Sequence, residues 1–320
     1  MDPAGAKLLI TGASGFVGRA LAIESAAKAI TGRVATRQSG GNFPAGFQNV
    51  QITGLEPDTD WGSALAGVSV VAHCAARVHV TRDPSSNPLA EFRRINVEGT
   101  LNLARQAATA GIRRLVFISS IGVNGAETVL KAFTAEDAPA PDSPYAVSKF
   151  EAEAGLQALS RSSGMEIVVI RPPLVYGPGG KGNWESLVAW IRSGVPLPLG
   201  AIHNKRSLVG LDNLIDLVIV CLEHPAAANQ VFLVSDGEDV STTNLLRGMA
   251  HALRVRSRLL PVPAGLLRVA GALTGKSELV QKLVGSLQID IAKTRRLLNW
   301  SPPVSFAEGL RRAAAAKTEQ

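Results

Sequence analysis

A short apolar run, Lys7-Leu8-Leu9-Ile10, leads into Thr11-Gly12-Ala13-Ser14-Gly15-Phe16-Val17-Gly18 and then into an Ala-rich stretch from Arg19 to Ala29. This order of strand, turn and helix, with glycines at every third position, constrains the fold more than any other stretch. Gly12 lets the chain turn sharply off the strand, and Gly15 lets backbone N–H groups approach a pyrophosphate. Gly18 lets the helix pack closely on a sheet, with its positive N-terminal end aimed at the phosphates. Ser14, Phe16 and Val17 complete the turn and join the three glycines as candidate dinucleotide contacts. A glycine triplet alone is a weak signal; this one gains weight from its setting and from a second motif some 130 residues later.

Strand and helix patterns alternate through the first half. Gly32 to Thr36 reads as a second strand and Val50 to Thr53 as a third. Val68 to Ala76 is a continuous apolar run, as in a strand buried on both faces. A long helix is expected from Leu89 to Ala110, a fifth strand from Arg114 to Ser120, a second long helix from Tyr145 to Ser162 and a sixth strand from Glu166 to Arg171. Such alternation implies an α/β fold, a doubly wound parallel sheet of Rossmann type with a smaller mixed C-terminal region. Residues 1–173 form the dinucleotide-binding part and 174–320 the substrate-binding region. Segments near 203–235, including Val231 to Val234, are expected to return to the main sheet. Asp212 is expected to cap a helix over Asn213 to Glu223. Ligands of such sheets bind beyond the carboxyl ends of the strands. There the glycine turn, Ala75-Ala76, Ser119-Ser120 and Arg171 to Val175 converge, which adds Ala75, Ala76 and Pro172 to the candidate cofactor contacts.

Composition narrows the function classes. The chain has 320 residues, 46% of them hydrophobic and 18% charged, enough for a full core. The net charge is +7, but the basic residues are scattered and aromatics make up 5%, so no nucleic-acid platform is expected. Cys74 and Cys221 sit in apolar runs and read as reduced core residues. The five histidines, His73, His79, His203, His224 and His251, lack metal-ligand spacing, and His73 reads as a packing residue at a strand end. Neither a secretory signal nor a run long enough to span a bilayer is present, which makes cytoplasm the expected location.

Tyr145-Ala146-Val147-Ser148-Lys149 puts a phenol and an ammonium on one helix face. A nearby ammonium is expected to lower the tyrosine pKa toward neutrality, so that Tyr145 can exchange a proton. Ser119 and Ser120 end the preceding strand, where a hydroxyl can reach a substrate oxygen. Acid/base, cation and positioner are the groups that hydride transfer at a carbinol–ketone pair needs.

These residues resemble the extended short-chain dehydrogenase/reductase family of nucleotide-sugar epimerases, dehydratases and reductases. The resemblance spans nearly the whole chain through TGASGFVG at 11–18, HCAA at 73–76, INVEGT at 95–100, VFISS at 116–120, YAVSK at 145–149 and RPPLVYGPG at 171–179. It implies that Tyr145 is the catalytic acid/base, that Lys149 is its partner and also holds the nicotinamide ribose, and that Ser120 is the family's positioning serine. It makes Asn96 the structural asparagine of the long helix. Asn183 and Arg206 resemble contacts to the substrate's diphosphate, with Ser119 and Ser120 beside the sugar; Lys276 or Lys282 is the candidate for a second diphosphate cation. Asp290 to Trp300 resembles the family's closing motif, in which Trp300 and the leucines read as core.

The second strand ends in Thr36-Arg37-Gln38-Ser39, without the acidic residue that would accept a hydrogen bond from an adenosine ribose. Arg37 can pair with a 2′-phosphate, so NADP(H) is expected ahead of NAD(H). Within the family the chain looks most like bacterial O-antigen enzymes of lipopolysaccharide synthesis. These reduce the C4 ketone of a UDP-4-keto-6-deoxy-N-acetylhexosamine to a UDP-6-deoxyhexosamine. The alternative is a UDP-hexose or UDP-N-acetylhexosamine 4-epimerase with tightly bound NAD, and a third reading is a non-catalytic NADP sensor. Pairing of the two long helices across a two-fold axis makes a homodimer the expected assembly.

Overall fold

The computed structural model describes residues 8–78, 87–180 and 183–315; Lys7, His79, Lys181 and Gly182 lie outside them. Seven strands form one parallel sheet: β1 (Leu8–Thr11), β2 (Gly32–Thr36), β3 (Phe47–Gln51), β4 (Val70–His73), β5 (Arg114–Ile118), β6 (Glu166–Arg171) and β7 (Val231–Leu233). Their order is β7-β6-β5-β4-β1-β2-β3, so chain direction across the sheet reverses beside β1. Among the described residues, ten helices longer than one turn flank the sheet or build the C-terminal region. They are α1 (Phe16–Ala27), α2 (88–109), α3 (Pro144–Ser163), α4 (Asn183–Ser193), α5 (Leu211–Glu223), α6 (Thr242–Ala252), α7 (Ala264–Leu273), α8 (Ser277–Val284), α9 (Ala292–Leu298) and α10 (Phe306–Ala315). The helix α2 runs through Pro88–Phe92, a π-helical stretch at Arg93–Gly99 and Thr100–Thr109.

Strand residues two apart share a face, and this period sorts the core into two layers. Leu8, Ile10, Val116 and Val168 pack on one face with Leu21 of α1 and with Leu214 and Val218 of α5. Leu9, Val71, Leu115, Phe117 and Val169 pack on the other with Leu103 of α2 and with Ala152 and Leu156 of α3. A third cluster, around Tyr176, Trp184, Leu246 and Phe306, holds the C-terminal region together.

Local chemistry explains the helix ends. Ser143 caps α3 by accepting the Ala146 amide at 3.3 Å, Pro144 occupies its first turn, and Gly164 ends it at φ +74°. Asn87 caps α2 in the same way through the Ala90 amide. The C-terminal strand β7 does join the main sheet, against β6. Three expectations need correction. The third strand lies at Phe47–Gln51 rather than Val50 to Thr53, because Phe47 is its buried anchor and pairs with Gly32. The fourth ends at His73, so Cys74 to Ala76 leave the sheet as a loop. Asp212 does not cap α5, which starts directly from Gly210; its carboxylate instead meets Arg312 at 2.7 Å.

Candidate functional site

The glycine turn after β1 is built by close approach. Gly12 has φ +69°, and a Cβ there would stand 2.8 Å from the Ala75 nitrogen. A Cβ on Gly18 would stand 2.4 Å from the Gly12 carbonyl oxygen, while the Gly15 amide donates to that oxygen at 2.9 Å. No side chain caps α1 and no acidic residue sits in its first turn. Its first amides are thus left for an anion, and Ser14 and Gly15 are exposed at the mouth. Phe16 and Val17 are half-buried against the core, and the Phe16 ring borders Gly177. On the far side, the Ala75 amide donates to Thr11 Oγ1 at 3.3 Å, and Ala75 and Ala76 are half-buried. Asn96, buried in the π-helical stretch, grips the same loop from both sides. It accepts the Arg77 amide at 2.8 Å and donates to the Arg77 carbonyl at 3.0 Å. This cradle fits a dinucleotide diphosphate: side chains are excluded where the phosphates would pass, and helix-end amides face them.

The proposed adenosine end is less specific than expected. The Thr36 hydroxyl lies 2.7 Å from the Gln38 carbonyl and 2.8 Å from Asn49 Oδ1, and the Arg37 carbonyl accepts from Gln51. These contacts pin the backbone of the turn. The Arg37 side chain itself is exposed and makes no contact among the described residues.

Ser120, Tyr145 and Lys149 meet at the carboxyl edge of the sheet. Ser120 opens a 3-10 turn by accepting the Gly122 amide at 3.1 Å, which leaves its O–H available as a donor. That turn packs on the start of α3: a Cβ on Gly122 would be 3.2 Å from the Ala146 Cβ, next to Tyr145. The Tyr145 ring meets Phe92 edge-on at 6.0 Å. One turn later Lys149 is buried, its ammonium 4.0 Å above the Phe117 ring. The Pro172 carbonyl accepts the Ile121 amide at 2.9 Å and so ties the end of β6 to the Ser120 turn.

The expected lowering of the Tyr145 pKa is not found. Burial pushes the phenol up to about 12, because desolvation penalises phenolate more than its neighbours favour it. Lys149 is itself pulled down to about 7 by burial, partly offset by the carboxylate of Glu153 and by Cys74. The cation expected to lower the phenol is thus itself disfavoured by burial.

The two serines separate. Ser119 is buried, with its hydroxyl donating to Glu153. Glu153 in turn receives Arg171 through Nε at 3.0 Å and Nη2 at 2.6 Å, and Arg171 Nη1 donates to Asn124 Oδ1 at 2.9 Å. Ser119 is thus turned toward Glu153, whereas Ser120 is half-buried at the start of its turn. Glu153 escapes a reading of the sequence, although its signal is there. Tyr145, Lys149 and Glu153 fall four apart on one helix face, and a buried acid there calls for a buried cation such as Arg171. His73 is buried, as expected of a packing residue. It also bridges Thr11 Oγ1 at 2.7 Å and Thr100 Oγ1 at 2.9 Å, and burial drives its pKa down to about 3.

At the substrate end, Arg206 donates to the Lys282 carbonyl at 2.8 Å and the Gly285 carbonyl at 3.3 Å; burial lowers its pKa. Both bonds use Nη1 and tether Arg206 to the end of α8. Asn183 begins α4, and its side chain lies outside the described atoms. Trp300 is buried and donates to Asp216 at 2.8 Å, as a core residue does.

Comparisons with known proteins place this geometry. The profile of the NAD dependent epimerase/dehydratase family matches residues 8–235. A UDP-glucose 4-epimerase of Vibrio cholerae is 45% identical over 317 residues, covering 97% of this chain and 94% of that one. An Escherichia coli O157:H7 protein, N-acetyl-alpha-D-glucosaminyl-diphospho-ditrans,octacis-undecaprenol 4-epimerase, is 28% identical over 95% of this chain and 93% of its own. Among solved structures, a UDP-glucuronic acid 4-epimerase from Bacillus cereus in complex with NAD superposes with a TM-score of 0.78. It is 20% identical, covering 98% of this chain and 99% of that one, and so speaks for the fold alone. The cradle, the Ser120–Tyr145–Lys149 group and the match over most of its length agree: the chain belongs to the NAD dependent epimerase/dehydratase family.

Proposed function

We propose that the protein is a 4-epimerase of a UDP-hexose or UDP-N-acetylhexosamine that works with a retained NAD. The observation that carries this reading is the Ser120–Tyr145–Lys149 group at the mouth of the glycine cradle, in a chain 45% identical to a UDP-glucose 4-epimerase. NAD, held by the cradle, by Ala75-Ala76 and by Lys149, would take a hydride from the sugar C4 and return it. Ser120 donates to the O4 oxygen and fixes its distance from Tyr145. Tyr145 takes the O4 proton when C4 becomes a ketone and gives it back to the new alkoxide on the other face. Because burial alone holds its phenol high, the phenolate this requires would depend on positive charge beside the ring, from Lys149 and from a bound oxidised nicotinamide. Lys149 favours the phenolate whenever it is charged. Arg206, together with Asn183, holds the diphosphate while the sugar turns.

The 4-ketoreductase reading uses the same three side chains and leans on Arg37 for NADP(H). The family profile is that of NAD dependent enzymes, and a C4-epimerase needs no net supply of NADPH. Two tests separate them. Nucleotide released from the purified protein should be NAD, and UDP-glucose and UDP-galactose (or their N-acetyl forms) should interconvert with no cofactor added. Stoichiometric NADPH oxidation with a UDP-4-keto sugar, and no interconversion, would replace the epimerase with the reductase. Tyr145→Phe should keep the bound nucleotide and lower kcat by about 10²–10⁴-fold, the usual share of a general acid/base. An unchanged rate would remove Tyr145 from the acid/base role, and a cellular function untouched by Tyr145→Phe would favour the non-catalytic NADP-sensing reading. We also read the protein as a cytoplasmic homodimer joined through α2 and α3, to be checked by light scattering.

A further inference from the structure

The helices α7 and α8 pack on each other at Gly271, where a Cβ would stand 2.8 Å from Val280. The rest of α7 faces the other way. Leu266, Val269, Ala270 and Leu273 recur at i, i+3, i+4 and i+7 and are all exposed, Leu273 to 83%. On α8, Leu279 is exposed as well. The loop carrying Val129 and Leu130, the latter 97% exposed, is tied to the end of this hairpin, since the Thr128 amide donates to the Ser286 carbonyl at 2.8 Å. Beneath the hairpin, an apolar groove of about 200 Å³ opens between Trp190, Leu197 and Leu199 on one side and Leu267, Val280 and Leu283 on the other. Exposed apolar side chains gathered on one helix stripe mark an interaction surface on a solvated domain.

Charge selects the occupant. From 254 to 282 the chain carries Arg254, Arg256, Arg258, Arg268, Lys276 and Lys282 against a single acid, Glu278, which pairs with Lys282. Arg254, Arg256, Arg268 and Lys276 are exposed, with no carboxylate partner among the described residues. A second copy seated two-fold here would bring this excess of unpaired cations toward its own equivalent. An extended surface that is apolar inside and anionic outside complements both features. Among the described residues no helix is long and apolar enough to cross a membrane, so the contact would lie in the plane of the interface.

We propose that the α7–α8 hairpin docks the protein on an anionic lipid bilayer, with α7 laid along the headgroup boundary. Docking places the site next to the membrane surface, because Arg206 is held by the carbonyls of Lys282 and Gly285 at the end of that hairpin. Docking of this kind is independent of the proposed reaction. The test is flotation of the full-length protein, with its bound nucleotide, on vesicles of phosphatidylcholine alone or mixed equally with phosphatidylglycerol. The protein should float with the mixed vesicles at low salt, leave them at high salt and bind phosphatidylcholine weakly. Leu273→Ser should lower the partition by about tenfold and Lys276→Gln, in the connection between the two helices, by about fivefold. Both side chains are exposed, so the melting temperature should not move. Absence of flotation, or flotation undiminished in both variants, overturns the proposal. So does a dimer in light scattering that Leu273→Ser dissolves, which would assign the face to a second copy.

Discussion

The ring of Phe117 serves two bases. His73 stacks on it at 5.8 Å, and the Lys149 ammonium sits 4.0 Å above its centroid. Both bases are desolvated, and burial holds each closer to its neutral form. For His73 the consequence is acid sensitivity. The unfolded chain takes up a proton near pH 6.5, whereas the folded histidine resists until about 3. Stability is therefore intact above pH 6.5 and falls as the pH drops toward 3, at about 1.4 kcal/mol per unit. His73→Gln keeps a neutral side chain between Thr11 and Thr100 and removes the titration. Urea unfolding at pH 6.5 and 4.5 should show the wild type losing about 2–3 kcal/mol more than the variant. Parallel losses in the two proteins would mean that His73 is not held neutral.

At the scale of elements, the Arg171–Glu153 pair fastens β6 to α3. It is also the support behind Lys149, one turn away. Both side chains are almost fully buried, and Ser119 and Asn124 satisfy atoms that the pair leaves over. Glu153→Gln leaves Arg171 charged and unpaired in the core, a defect that costs about 3–5 kcal/mol. Thermal unfolding should reveal it, and the double variant Glu153→Gln/Arg171→Met should recover part of the loss. No recovery would mean that the two residues act separately. This network also marks the limit of what a sequence displays. The glycine cradle, the alternation of strands and helices before residue 173 and the Tyr145–Lys149 pair are legible because each depends on neighbours a few residues away. The place of Ser119 is not, because it answers to a carboxylate thirty-four positions on. The same holds for Asp212, which has the look of a helix cap and instead pairs with an arginine one hundred positions away. The edge strand β3 starts three residues earlier than its pattern suggests, because Phe47 is its only buried side chain and the apolar signal is weak.

Over the whole molecule, the C-terminal segment closes the nucleotide-binding sheet from outside. Thr294 donates to the Leu233 carbonyl at 2.7 Å, Trp300 packs into the main core and donates to Asp216, and Lys293 meets Glu136 at 3.0 Å. Trp300→Ala empties a site next to α5 and should cost about 3–5 kcal/mol. The loss should appear as a lower melting temperature and faster release of bound nucleotide, although Trp300 lies far from the cradle in sequence. A melting temperature that falls while nucleotide release stays the same would separate the two layers. The position of β7 has a further consequence for synthesis. The edge strand against β6 arrives some sixty residues after β6, and its cover arrives with Thr294 and Trp300. A chain leaving the ribosome thus carries its glycine turn and its tyrosine long before the sheet beside them can close. The exposed edge of β6 must wait for β7, and during that interval it is a natural client for a chaperone.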